Sequence, residues 1–271
     1  MEFNLITEEL NMKNIPQLIH YCWFGKKPKS KLAEKCINSW KKYCPDFDII
    51  EWNEKNFDIS KCPLYVRQAY EVEKWAFVTD YVRLKVVFDC GGIYMDTDVE
   101  LKRPLDQLLD HQGYFGFEDG VHINTGLGFG AVKGLAILQE MMKDYEELPF
   151  IREDGSFDTE TCPSRNTKIF LRHGLIQDDS FQILDGDIQI LPTIYLCPYS
   201  YETYTLQHSL KTISCHWFNA SWLPEQDKLY HKNKLKQARK DQIIHIPNRM
   251  LLRLIGEKNY QRLKAIIKRG K

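Results

Sequence analysis

A chain of 271 residues, 43% hydrophobic and 13% aromatic, is long enough to build one large domain with a full core. Its 37 basic and 37 acidic side chains cancel, which argues against a general nucleic-acid binder. The balance is uneven, however: from Lys228 onward fourteen Lys and Arg face only Asp241 and Glu257, so an acidic body carries a basic tail suited to an anionic partner.

Eight cysteines form no C-x-x-C pair and no zinc spacing, and reduced thiols of a cytosolic protein are the expectation. MEFNLITEEL has no basic segment followed by an apolar run, so no secretory leader is expected there. No stretch approaches the ~18 consecutive apolar residues of a membrane-spanning helix.

In chain order, IPQLIHYCWFG reads as a first strand, with Leu18, Ile19, Tyr21 and Trp23 apolar or aromatic and Gly25 ending it. SKLAEKCINSWKKYCPDF reads as a helix capped by Ser30, with Leu32, Cys36, Ile37 and Trp40 at helical spacing. FDIIEWN is a second strand, and strand, helix, strand opens an α/β unit with a parallel sheet. Residues 64–89 form a long helical stretch with at most one break, on which Ala76, Asp80, Arg83 and Val87 share a face. Gly91 and Gly92 end it. Ile93, Tyr94 and Met95 form a short strand. YFGFE, GLGFGAV and a helix from Leu135 to Tyr145 continue the pattern, residues 150–190 are expected to be loop-dominated, and IQILPTIYLCP holds another strand. The composition changes near residue 227, giving expected domains of 1–227 and 228–271.

The segment GGIYMDTDVE sets two carboxylates, Asp96 and Asp98, at the end of a buried strand. Strand alternation would point both to one side, with Thr97 opposite. Like charges so close repel, and burial makes each costly. A hard divalent cation, Mn²⁺ or Mg²⁺, between them would resolve that conflict, with room for phosphate oxygens of a substrate. The position suits a ligand, since open α/β sheets bind beyond the carboxyl ends of their strands. A bare D-x-D is equally compatible with two solvated acids in a turn. Asp80 and Arg83, three apart on an otherwise apolar helix, also need partners. Either they pair with each other, or they hold hydroxyls of a polar ligand beside the cation.

The stretch KWAFVTDYVRLKVVFDCGGIYMDTDVE resembles the sugar-binding region containing the D-x-D motif of glycosyltransferase family 32. That family includes bacterial capsule and lipopolysaccharide sugar transferases and relatives of a yeast outer-chain α-1,6-mannosyltransferase. The catalytic domain of the large glucosylating toxins is a more distant likeness. IPQLIHYCWFGKKP is similar to the family's first strand and CHWFNASWL to its closing block, so the three blocks span most of residues 15–223. The resemblance implies a GT-A fold, a Rossmann-like mixed sheet with flanking helices, followed here by the basic helical tail. It further implies a metal-dependent, retaining transfer of a hexose from a nucleotide-diphospho-sugar. Asp96, Asp98 and His216 would hold the metal. Asp80 and Arg83 would hold the donor sugar hydroxyls and, with Asp96 and Asp98, form the catalytic set. Trp23 would stack on the nucleotide base; the alternative is an ordinary core tryptophan at a strand end. Ser221 and Trp222 would reach the metal-bound diphosphate, and Asn124 would face the sugar. The usual second histidine of the closing block is Trp217 here, a departure. The family orders the expected donors as UDP-galactose, then UDP-glucose, with GDP-mannose as a further option. The acceptor would be a glycan or lipid-linked saccharide in surface polysaccharide synthesis.

The tail, IPNRMLLRLIGEKNYQRLKAIIKRGK, interleaves apolar and basic residues as one or two amphipathic helices. Such helices lie on anionic membranes or pack on an acidic body. A cytoplasmic protein peripheral to the inner face of the plasma membrane is the corresponding expectation. Two other readings compete. A haloacid dehalogenase-type phosphatase would use Asp96 as nucleophile, with Asp178 and Asp179 as its late acidic pair. A non-catalytic binding protein would carry the same fold with a degenerate metal site.

Overall fold

The computed structural model describes residues 14–200, 205–207 and 209–218, together with residues 229 and 233. The expected tail helices and the boundary at residue 227 lie outside that set. The larger of two compact units, residues 1–200 and 206–222, carries the sheet. Among the described residues, no helix is long and apolar enough to cross a membrane.

The strands are β1 (Leu18–Cys22), β2 (Asp48–Trp52), β3 (Gly92–Tyr94), β4 (Val99–Leu101), β5 (Gly113–Gly116), β6 (Phe129–Ala131), β7 (Gln182–Leu184), β8 (Ile188–Leu191), β9 (Tyr199–Ser200), β10 (Thr205–Leu206) and β11 (Ser214–His216). The helices are α1 (Lys31–Tyr43), α2 (Leu64–Glu71), α3 (Trp75–Cys90), α4 (Ala136–Glu146), α5 (Cys162–Arg172) and α6 (Thr193–Leu196).

Seven strands form the main sheet in the order β2-β1-β3-β6-β5-β8-β7. β1 pairs parallel with β2 and β3, and β5 pairs parallel with β8. β6 is antiparallel to both β3 and β5. Two reversals restore direction, so β1, β2, β3, β5 and β8 all release their carboxyl ends at one edge. The parallel opening expected from sequence is there, and the sheet as a whole is mixed with flanking helices, the architecture the resemblance implies.

Alternation along the strands divides the core. Cys22, Tyr94, Phe115 and Ile190 join α2, α3, α4 and α5 on one face. Tyr21, Ile93, Tyr114 and Leu191 join α1 on the other. α1 buries Ala33, Cys36, Ile37 and Trp40, and the Ser30 hydroxyl accepts from the Ala33 N–H, as the cap signal predicted. The long helical stretch is broken between α2 and α3, where Glu73 takes a positive φ of 57°.

α3 ends at Gly91 and Gly92, with φ of 70° and 105°. A Cβ on Gly92 would lie 2.9 Å from His20 Nε2 and 2.9 Å from the Leu18 carbonyl oxygen. His20 is wholly buried. Trp52 Nε1 donates to its Nδ1 (3.1 Å), which leaves Nε2 to donate to the Gly91 carbonyl (2.8 Å). Burial holds the His20 pKa below its ordinary value. This wedge aims β3 into the segment carrying the carboxylates. Gly92→Ala combines a collision with a disfavoured φ and is expected to cost about 2 kcal/mol or more, read as a lower midpoint in denaturant unfolding.

Residues 150–190 lie mostly outside helix and strand, as expected, but not entirely. They contain α5, β7 and β8. The buried face of α5 includes Arg165, Asn166 and Thr167 beside Cys162, Ile169 and Phe170, so its inward stripe is half polar and hides the apolar period on which helix reading rests.

Candidate active site

β3 stops at Tyr94, and Asp96-Thr97-Asp98 is a turn, not a strand end. The Met95 N–H donates to the His20 carbonyl (3.1 Å), and Val99 N–H closes the turn on the Asp96 carbonyl (3.0 Å). Strand alternation therefore does not aim the two carboxylates; the turn does. The chain leaves it as β4, which pairs antiparallel with β11 so that His216 stands opposite Val99. Trp217 N–H donates to the Asp98 carbonyl (3.0 Å). That register brings the closing block to the D-x-D segment, with His216 Nε2 lying 3.1 Å from Asp98 Oδ1.

Asp96, Asp98 and His216 each offer a ligand atom, all within 4.8 Å of one another. Two carboxylate oxygens and an imidazole nitrogen suit a divalent cation. The charge distribution points the same way. Burial raises the Asp96 pKa and Arg83 opposes it. Burial works against charged His216, yet the carboxylates of Asp98, Asp96 and Glu118 outweigh it and hold its pKa above the ordinary value. A buried imidazole whose pKa three acids raise marks a place that favours positive charge. His216 Nδ1 is buried with no hydrogen-bond partner among the described residues. The residues present fit the group that the resemblance implies.

Behind Asp96 lies Arg83. Its Nη1 is 3.1 Å from Asp80 Oδ1 and its Nη2 is 3.1 Å from Asp96 Oδ1. The two charges on α3 thus pair with each other and, through Arg83, with the D-x-D segment. Burial pushes the Asp80 pKa up to about 6 against the pull of Arg83. Tyr94 donates its hydroxyl to Asp96 Oδ1 (3.0 Å), and the Arg83 guanidinium lies 5.2 Å from the Tyr94 ring centre. Gly126 closes the opposite side: a Cβ there would collide with Asp96 Oδ2.

Sequence reasoning missed the support around Arg83. Arg83 Nη1 donates to Cys162 Sγ (3.4 Å), and Asn166 Nδ2 donates to Thr125 Oγ1 and Cys162 Sγ, both at 3.1 Å. Cys162 and Asn166 come from α5, whose polar inward face carried no recognisable pattern, and Thr125 comes from the turn before β6. Glu118, just past β5, was also missed.

Trp23 follows β1 at the same sheet edge; it is partly buried, donates Nε1–H to the Lys27 carbonyl (2.7 Å) and has Lys29 Nζ 5.9 Å from its ring. Asn124 is buried. Its Oδ1 accepts from Gly126 N–H (2.6 Å) and its Nδ2 donates to Glu118 Oε2. Ser221 and Trp222 lie outside the described residues. Trp217 donates Nε1–H to Glu100 Oε2 (2.9 Å) and has Lys35 and Lys102 over its ring. Asp178 and Asp179 do not join Asp96. Asp179 accepts from the Thr193 N–H and hydroxyl, and Asp178 from Ser180 N–H, so the phosphatase reading loses its second acidic pair.

Residues 30–115 match the family described as glycosyltransferase sugar-binding region containing DXD motif. That match falls on the D-x-D region where the sequence resemblance lies, and it covers under a third of the chain. The matched region takes in Asp80, Arg83, Asp96 and Asp98 and leaves Trp23, Asn124 and His216 outside. Among curated proteins, the chain is 25% identical over 146 residues to inositol phosphoceramide mannosyltransferase 3 of Schizosaccharomyces pombe, covering 50% of this chain and 38% of that protein. It is 28% identical over 108 residues to inositol phosphoceramide mannosyltransferase 1 of the same yeast, covering 36% and 32%. The chain thus spans well under half the length of these relatives. Among solved structures, the PaToxG glycosyltransferase is similar with a TM-score of 0.47 at 16% identity, over 63% of this chain and 75% of that one. A glycosyltransferase involved in glycosylation of the major capsid of PBCV-1 gives 0.43 at 12% identity, over 81% and 99%.

Proposed function

We propose that this protein is a metal-dependent retaining glycosyltransferase that moves a hexose from a nucleotide-diphospho-sugar to a glycan or lipid-linked acceptor. The convergence of Asp96, Asp98 and His216 beyond the carboxyl end of β3 carries this reading. Glycosyl transfer builds negative charge on a departing diphosphate while the sugar becomes oxocarbenium-like. A divalent cation, Mn²⁺ or Mg²⁺, held by these three residues supplies Lewis-acid stabilisation of the leaving group. Arg83 holds Asp96 in place and balances two buried carboxylates, which fixes the site before substrate arrives. Asp80 sits directly behind, in the position the resemblance gives to a group holding donor hydroxyls. Trp23 at the neighbouring strand end offers a flat indole for the nucleotide base.

The sugar is a hexose. UDP-galactose and UDP-glucose are the donors the resemblance favours, and the two relatives named as mannosyltransferases add weight to GDP-mannose. Their names also support a lipid-borne acceptor. A cytoplasmic enzyme of surface polysaccharide synthesis, held to an anionic membrane surface by its basic tail, fits that acceptor.

The test is donor hydrolysis by the purified full chain with Mn²⁺ across UDP-galactose, UDP-glucose, UDP-N-acetylhexosamines and GDP-mannose. Nucleotide release from one donor, abolished by EDTA, is the expected result. Hydrolysis of a simple phosphate ester with silence on every donor would overturn the proposal.

A further inference from the structure

The sheet delivers a further carboxylate to the edge that carries the D-x-D segment. β3 and β5 point the same way on either side of β6. Asp96 follows the first, and Glu118 stands just beyond the second, which ends at Gly116. The two are separated by the Asn124–Gly126 turn: Asn124 binds Gly126 N–H and Glu118, while the Gly126 carbonyl accepts from Asp96 N–H (3.3 Å). Asn124, expected to face the sugar, thus has both ends of its amide engaged in holding this turn and Glu118.

Glu118 is different. Its Oε2 takes the Asn124 amide, its Oε1 has no partner among the described residues, and the residue as a whole is half-buried. No Lys or Arg among the described residues pairs with it. It stands outside the trio that converges on a metal, although its charge reaches His216. Burial raises its pKa, against the pull of His216 and Asn124. A half-buried carboxylate with no ion pair among the described residues, backed by an oriented amide and with one oxygen unclaimed by them, serves no packing need.

We propose that Glu118 faces the sugar being transferred, where it accepts hydrogen bonds from its hydroxyls and stabilises the positive charge that builds at the anomeric carbon. This assignment rests on the transferase reading. The chemistry has two poles: the leaving diphosphate gains negative charge, and the sugar gains positive charge. The trio and the ion it suits serve the first pole. A fixed carboxylate beside the trio, and not part of it, serves the second, and such preorganised charge is worth most where water is scarce. Glu118 forms no covalent bond in this role and exchanges no proton.

Glu118→Gln keeps the size of the side chain and an oxygen for the Asn124 amide, and removes the charge. The experiment measures kcat of Mn²⁺-dependent donor turnover, Mn²⁺ affinity by spin-resonance titration, and the thermal midpoint, for the wild type, Glu118→Gln and Glu118→Asp. With Glu118→Gln, kcat is expected to fall about 100-fold, the scale of one electrostatic contact to a transition state. Mn²⁺ affinity and the midpoint should stay at wild-type values, and Glu118→Asp should recover part of the rate. Turnover within about threefold of wild type, or a loss of Mn²⁺ affinity or of folding in Glu118→Gln, overturns the assignment. The transferase reading fails separately: a wild type silent on every donor removes it, and this assignment with it.

Discussion

Asp98→Ala is expected to lower Mn²⁺-dependent donor turnover by about a thousandfold, because Lewis-acid stabilisation of a leaving group is worth several kcal/mol and each 1.36 kcal/mol is tenfold in rate. Asp98 supplies an oxygen to the trio and is the carboxylate nearest His216 Nε2, at 3.1 Å. Removing it leaves two of three ligand groups and lets His216 lose much of the field that keeps its pKa high. The fold should survive, since the change also relieves the repulsion between Asp98 and Asp96. Spin-resonance titration of Mn²⁺ should show weak binding in the variant, and circular dichroism an unaltered fold. Ligands must be deprotonated to bind a metal. In the wild type, whose His216 holds its proton more tightly than usual, Mn²⁺ affinity should therefore decline as pH is lowered through the His216 titration. A variant that keeps Mn²⁺-stimulated turnover would place the metal elsewhere.

Arg83→Met should be the most destabilising single change at the site, at about 3–5 kcal/mol, the scale for breaking a buried ion pair. Arg83 and Asp80 are both nearly sealed, at 4% and 8% exposure, and Arg83 is 3.1 Å from each of two carboxylates. Methionine fills much of the volume and leaves both charges uncompensated. The pH dependence has a definite sign. Burial already raises the Asp80 pKa to about 6 and also raises that of Asp96; without Arg83 both go higher. A carboxyl whose folded pKa lies above its unfolded value binds protons preferentially in the folded state, so its folding penalty is present at neutral pH and disappears as pH falls. The deficit of Arg83→Met should therefore shrink as pH is lowered toward about 6, the value Asp80 has with Arg83 in place. Adding Asp80→Asn to the variant should recover part of the lost stability, an interaction visible as non-additivity in urea unfolding. A variant that unfolds at the wild-type midpoint would show that the network contributes nothing to the fold.

The frame of the protein was readable because its signals are local. β1 and α1 follow from alternation, a serine cap and apolar spacing, and the two glycines after α3 mark a turn that few other residues tolerate. The pair of Asp80 and Arg83 stood out because charge on an apolar helix demands a partner. The D-x-D turn was misread as a strand because Ile93, Tyr94 and Met95 are all apolar, and nothing in those letters says that β3 stops at Tyr94. That His216 closes on Asp98 depends on β11 meeting β4, a long-range register that only the family likeness suggested. α5 was invisible because arginine, asparagine and threonine face inward along it. Glu118 carried no motif. Its signal is topological: it stands just past the end of a strand parallel to β3, and the direction of β5 cannot be known until β6 is seen to run against both.

The pairing of β4 with β11 has a consequence for how the protein comes apart. β11 makes three residue pairs with β4, and its last residue, His216, is also one of the three groups of the trio. Peeling β11 from its neighbour therefore dismantles the site in the same motion, and an ion bound by all three would latch that strand in place. The site and this seam of the fold then share one fate: loss of the ion loosens the strand, and a loosened strand cannot keep the ion.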